Sequence, residues 1–308
     1  MSSADPPRKS VLVTGANGYI GNAVARAFVR SGWKTHGLVR KEASIVSLAK
    51  EEIIPILGSL SDPSFLAPLK TQGVVFDVIV STTEQMNDYI SHYNEVVSFL
   101  RTVAKNSNEA GVRPLVIFTS GCKDYGMMDK LADSPDLKPH TEESPLNPFP
   151  FAGIIARANH AIKIFDHTDL FDAIVTRPTN VYGLDSSYYG MFFKLAAKGK
   201  EKGVLELHED PRTILHAMHV DDCAEAYVAL AEHPYRAVIR GQCYNIAAYR
   251  YETLDEIAKA LVKEYEIGGG VKYLPQKEGT SFEVIWERAV LGFSQWTGSA
   301  KLRKDVGV

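Results

Sequence analysis

Short apolar runs, separated by glycine, proline and charged residues, recur along most of this chain. The first run ends in a turn bearing Gly15, Gly18 and Gly21. Ile20, Ala23, Val24, Ala27 and Phe28 then fall on one face at helical spacing, up to Gly32. Further runs at 33–39, 53–57, 74–80, 115–119, 171–176 and 242–247 read as strands. Tyr89, Tyr93, Val96, Val97, Leu100 and Val103 predict a long helix from about Glu84 to Lys105. Ile154, Ile155, Ala158, Ala161, Ile162 and Phe165 mark another, and helices are expected over 222–233 and 253–265. Strands alternating with helices predict an α/β fold with a parallel sheet. Pro55 cannot donate to a ladder, so the third strand belongs at an edge.

The glycine turn adds chemistry to this pattern. Gly15 permits a tight turn, Gly18 lets backbone approach a pyrophosphate, and Gly21 lets helix and strand pack closely. Asn17, Tyr19 and Ile20 fill out the turn and the helix start, where free N–H groups suit an anion. The expectation is a Rossmann-type doubly wound parallel sheet, with ligand at the carboxyl ends of its strands. A bare glycine turn without ligand is the alternative. The second strand ends in Arg40 and Lys41, where an NAD enzyme usually carries Asp or Glu for the ribose. Arg40 suits a 2′-phosphate, so NADP(H) is favoured over NAD. A solvated surface pair would explain the same residues.

Composition narrows the class further. The 308 residues are 45% hydrophobic and 23% charged, with a net charge of −3 and the basic residues dispersed. Nothing in that balance argues for a nucleic-acid or anionic-membrane partner, and the glycine turn leaves a small-molecule substrate as the expected one. Cys122, Cys223 and Cys243 are odd in number and far apart, which predicts neither a disulfide framework nor a metal site. No apolar run reaches the ~18 residues of a membrane span, and residues 1–9 read as a disordered polar tail. A cytoplasmic protein is expected.

With Thr14 in front, the glycine stretch resembles the TGxxGxxG of the short-chain dehydrogenase/reductase superfamily, in its extended branch. That branch includes sugar-nucleotide epimerases, dehydratases and NADPH-dependent carbonyl reductases. The resemblance covers about Ser10 to Asp305. It implies a nucleotide-binding domain over 10–183 with 218–247 and a smaller C-terminal substrate domain over 184–217 with 248–308, with homodimerisation a possibility. It also implies that Ser81, Thr82 and Thr83 line the cofactor's ribose and pyrophosphate, although they would serve equally as a helix cap. Ser59 stands where the family often has an adenine-contacting Asp.

The catalytic positions depart from the family. Ser120-Gly-Cys-Lys-Asp-Tyr-Gly126 resembles its SS-x-x-VYG loop, with Gly121 in place of the second serine and Ser120 matching the first. The family's Tyr-x-x-x-Lys pair should follow Asn147-Pro148, but Phe151 and Ile155 align there, or Ala152 and Ala156 one residue on. Phe cannot transfer a proton and Ile cannot carry charge. Arg157 is the nearest cation and could replace part of the lysine's role, or be a surface arginine; His160 is a weaker candidate. Arg177-Pro-Thr-Asn-Val-Tyr-Gly183 resembles the RPxNVYG that closes over the nicotinamide, so Pro178 is expected at the cofactor and Asn180 at the substrate. Tyr188 and Lys123 are further substrate-side candidates, and Arg212 matches an anion-binding position of sugar-nucleotide enzymes. Substitute proton donors are Tyr125, Tyr182, Lys123 or water, with Ser120 in reach. Three function classes follow: an NADP(H)-dependent oxidoreductase or epimerase/dehydratase acting on a small carbonyl or hydroxyl substrate, a non-redox isomerase or lyase on the same scaffold, and a non-catalytic NADP-binding regulator.

Overall fold

Ser10–Thr14 forms β1, with every residue buried. The structure, a computed structural model, describes residues 9–184 and 187–307, so all but the last residue of the expected tail lies outside it. β2 is Lys34–Val39, β3 Ile54–Leu57, β4 Val78–Ser81, β5 Leu115–Thr119, β6 Asp172–Pro178 and β7 Cys243–Ile246. These seven strands make one parallel sheet in the order β7-β6-β5-β4-β1-β2-β3. Pro55 lies on the edge strand β3, opposite Gly37, as its missing N–H requires.

Apolar side chains cover both faces of the sheet. On one face, α1 (Tyr19–Arg30) buries Ala23, Val24, Ala27 and Phe28. On the other, α2 (Tyr89–Glu109) buries Tyr93, Val96, Leu100 and Val103. α2 starts five residues later than its periodicity suggests, because a 3-10 turn over Met86–Asp88 precedes it. No helix or strand is formed between Tyr125 and Ala152, where Pro and Asp are dense. α3 (Ala152–His160) follows, and α4 (Gly190–Lys202) opens the C-terminal part.

α5 (Val220–Glu232) begins at His219, whose side chain accepts from the Asp221 N–H. It lies against α1, tied by Arg26 to Asp221 at 2.8 Å and by Trp33 to Glu232 at 2.8 Å. A third apolar core, separate from the two sheet faces, gathers Phe192, Leu205, Leu207, Leu254, Leu261 and Leu291. α6 (Leu254–Glu264) contributes to it and starts at a Thr253–Glu256 capping box. No described helix is long and apolar enough to cross a membrane.

Candidate active site

The carboxyl ends of β1, β2, β4, β5 and β6 open into a cleft with two lobes. The outer lobe, about 630 Å³, is lined by Gly15, Asn17, Arg40, Ser59 and Ser61 among others. The inner lobe, about 490 Å³, is lined by Tyr19, Ile20, Ser120, Cys122, Lys123, Arg157, Pro178, Asn180 and Tyr188 among others. Gly18, Thr82, Thr83 and Glu84 border both lobes, so the glycine turn is where they meet.

Local geometry explains the three glycines. Gly15 has φ +68°, a conformation that favours glycine. A Cβ on Gly21 would stand 2.3 Å from the Gly15 carbonyl oxygen and 2.5 Å from Thr82 Oγ1. Gly18 ends the turn, and no side chain caps the α1 N-terminus behind it. Thr82 Oγ1 donates to the Thr14 carbonyl at 2.6 Å, which fixes the end of β4 beside the turn. Thr83 Oγ1 is buried at the junction with no hydrogen-bond partner among the described residues. An uncapped helix start, a glycine cradle and an orphan hydroxyl at one point suit the phosphates and ribose of a dinucleotide.

A buried polar network floors the inner lobe. Asp124 is wholly buried and accepts from Ser120 Oγ at 2.5 Å and from Arg157 Nε at 2.9 Å. Arg157 Nη1 reaches the Glu84 carboxylate at 2.8 Å. Burial works against charge on Arg157, but the Asp124 and Glu84 carboxylates outweigh it and hold the guanidinium protonated. Lys123 Nζ donates to the Ala289 carbonyl at 3.0 Å and lies 3.8 Å from the Phe293 ring centroid. Burial, with no carboxylate against it, pushes this amine down to about 8. The Tyr188 hydroxyl is pushed up, by burial first and then by Glu84, and is a poor acid.

Several expected site residues lie elsewhere. Tyr125 is buried behind the cleft, stacked on His140, and its hydroxyl donates to Asn245 Oδ1 at 2.8 Å and accepts from Arg177 at 3.0 Å. It does not reach the cavity, because it belongs to this internal network. Tyr182 packs against Tyr189 and His219 and lines neither lobe. Arg212 is held by Asp210 through Nε at 3.1 Å and Nη2 at 2.9 Å on the exposed surface, away from both lobes. Lys41 is exposed outside the lining, and Ser81 is buried within β4. His160 is bonded to the Ala156 carbonyl and packs on Tyr93.

The register on α3 also differs from expectation. Phe151 caps the helix, and it and Ile155 are 45% and 40% exposed, outside both lobes. The inward positions are Gly153 and Arg157, two residues further on. A Cβ on Gly153 would meet the Met86 carbonyl oxygen at 2.2 Å, so α3 lies directly on backbone there. The sequence signal for Arg157 was its proximity to the missing lysine. For Glu84 there was none.

A parallel sheet in this order, with a glycine turn and a cleft at the carboxyl ends of its strands, is the doubly wound α/β fold. The chain belongs to the NAD dependent epimerase/dehydratase family, whose pattern it matches over residues 11–247. It is thereby an enzyme of oxidoreductase- or epimerase-like kind, in a family that uses a nicotinamide cofactor. It is similar to UDP-arabinose 4-epimerase 1 of Arabidopsis thaliana, at 24% identity over 99% of this chain and 76% of that one. It is also similar to a ceramide reductase of Caulobacter vibrioides, at 22% identity over 75% of this chain and 63% of that one. Among solved structures it resembles dTDP-glucose 4,6-dehydratase of Bacillus anthracis in complex with NAD. The TM-score is 0.70 and identity 19%, covering 97% of this chain and 91% of that one. Among the described residues, no group of three or more His, Cys, Asp or Glu side chains is placed to hold a metal.

Proposed function

We propose that the chain binds a nicotinamide dinucleotide along this cleft, NADP(H) in preference to NAD(H), and acts with it on a small carbonyl or hydroxyl substrate. The observation that carries the reading is the cleft itself. Its lobes join at Gly18, with Arg40 at the outer end and Ser120 and Lys123 at the inner end. When bound, the dinucleotide supplies or accepts a hydride. The chain's own residues bind, orient and move the proton. Arg40, beside Ser59 and Ser61, suits a 2′-phosphate. Thr83 offers its unpartnered hydroxyl at the junction. Lys123 holds a proton on Nζ that titrates at about 8, so it can serve an alkoxide near neutral pH where a tyrosine is lacking.

A sugar nucleotide is the second reading, favoured by the names of two similar proteins. The occupied Arg212 weighs against it, because the residue expected to hold a substrate's anionic group is paired with Asp210 outside the cleft. The cofactor assignment is tested by calorimetric titration of NADPH and NADH. NADPH should bind more tightly, and Arg40→Asp should reverse the order. Equal affinities in the parent overturn the preference, and no binding of either overturns the reading. Turnover on simple carbonyls and on nucleotide sugars, with the tighter dinucleotide, then decides between the substrate classes.

A further inference from the structure

The departures at Gly121 and on α3 meet at one point. Gly121 has an extended backbone, φ −165°, that any residue adopts, so no backbone strain demands glycine there. A Cβ on it, however, would stand 2.9 Å from Arg157 Nη2. The guanidinium lies directly on the Gly121 backbone, in space that a side chain would fill. Asp124 and Glu84 fix its Nε and Nη1, and no hydrogen bond to Nη2 is formed among the described residues. Arg157 is 8% exposed and lines only the inner lobe, whereas Glu84, its side chain 42% exposed, borders both. The ion pair therefore spans the passage from the glycine turn into the inner lobe.

We infer that Arg157 and Glu84 together grip the vicinal diol of the nicotinamide ribose, and that the missing side chain at Gly121 is what admits the guanidinium. The inference rests on the dinucleotide reading above. A diol offers one hydroxyl to donate to a carboxylate and one to accept from a guanidinium, and hydrogen bonds to charged groups are the strong ones. A phosphate fits the pair poorly. The Glu84 carboxylate would repel it, and the charge on Arg157 is already matched by two carboxylates. Arg157 cannot donate a proton, so its part is positioning, and proton transfer stays with another group.

The test compares the tighter-binding dinucleotide with its adenine-side fragment lacking the nicotinamide riboside. That fragment is 2′-phosphoadenosine 5′-diphosphate for NADP(H) and ADP for NAD(H). Arg157→Gln and Glu84→Ala should each weaken the dinucleotide about ten- to a hundredfold and leave the fragment unchanged. Arg157→Gln removes the nearest cation from the buried Asp124 carboxylate, leaving it Ser120 and, at 3.8 Å, Arg177, and can fail to fold. Gly121→Ser is the milder change, because it presses on the guanidinium from the backbone side while the cation that faces Asp124 is kept. It should weaken the dinucleotide alone, and combining it with Arg157→Gln should add nothing further. Unchanged dinucleotide affinity in folded Gly121→Ser and Glu84→Ala overturns the inference, as does an equal loss for the fragment. A parent that binds neither overturns the dinucleotide reading and this inference with it.

Discussion

Lys123 illustrates how burial changes what a side chain can do. Its stem is enclosed between the loop after β5 and the C-terminal segment, with Ala289 and Phe293 as its partners. Neither partner carries negative charge to balance the ammonium, so burial pushes the amine down to about 8. The consequence for stability has a definite sign. Above about pH 8 the folded chain releases this proton, while the unfolded chain keeps it until the ordinary lysine range. The unfolded state then binds more protons, and stability rises with pH across that window. Relative to Lys123→Met, the parent should gain stability from about pH 8 upward, by at most about 1.4 kcal/mol per pH unit. Urea midpoints at pH 7.5, 8.5 and 9.5 measure this, and parallel curves for the two proteins would refute it. If Lys123 is also the proton donor, carbonyl reduction should fall over the same range.

The β1–α1 unit and α3 differ in how readable they were, for a physical reason. The first was legible in full, since an apolar strand, three glycines and an amphipathic helix admit few arrangements. Gly21 is its tightest point. A side chain there collides with the Gly15 carbonyl and Thr82 Oγ1 at once, so α1 and the end of β4 cannot both keep their places. Gly21→Ala should destabilise the fold by about 1–3 kcal/mol and abolish dinucleotide binding. Urea unfolding and calorimetry check the two parts, and an Ala variant of parental stability would show that the contact is loose. On α3, apolar periodicity misleads. Ile155 sits on the apolar stripe yet is exposed, whereas Arg157 is buried. Arg157 is the residue of this helix that reaches the cavity, while Gly153 lies on the Met86 backbone and Ala156 packs on the apolar core, so apolar periodicity does not report the position that matters for the site. Tyr125 misleads differently: its place in the motif is near the cleft, but the Arg177–Asn245 network turns its hydroxyl inward.

At the scale of the whole molecule, the strands were legible because each run was bounded by turn residues, and the edge place of β3 because Pro55 cannot donate to a ladder. Hydrogen bonds that tie the cleft to the C-terminal segment left no such mark. His216 is the centre of one set. Its carbonyl accepts from Thr179 Oγ1, a cavity residue, at 2.7 Å. Its ring bonds the Ala248 carbonyl through Nε2 at 3.0 Å and accepts the Thr297 N–H at Nδ1, 3.2 Å away. That pattern requires a neutral ring, because protonated Nδ1 has no lone pair to accept with. Burial pushes His216 down to about 4, and burial with the nearby Lys34 does the same to His36 in β2. Between the ordinary histidine value of 6.5 and about 4, the unfolded chain takes up these protons and the folded chain does not. Stability is therefore full above that window and falls as the solution is acidified through it. Glu142, Glu209 and Glu252, pushed up by burial, act in the opposite direction, so the parent alone cannot isolate the histidine. The difference between the parent and His216→Gln cancels them. Glutamine keeps a donor and an acceptor but does not titrate. The parent's stability should fall faster than the variant's from pH 6.5 to 4, by up to about 1.4 kcal/mol per pH unit, the contribution of one proton. Denaturation midpoints at half-unit steps measure it. Curves that run parallel would mean that His216 is protonated in the fold and that the tie between cleft and C-terminal segment does not depend on its neutral ring.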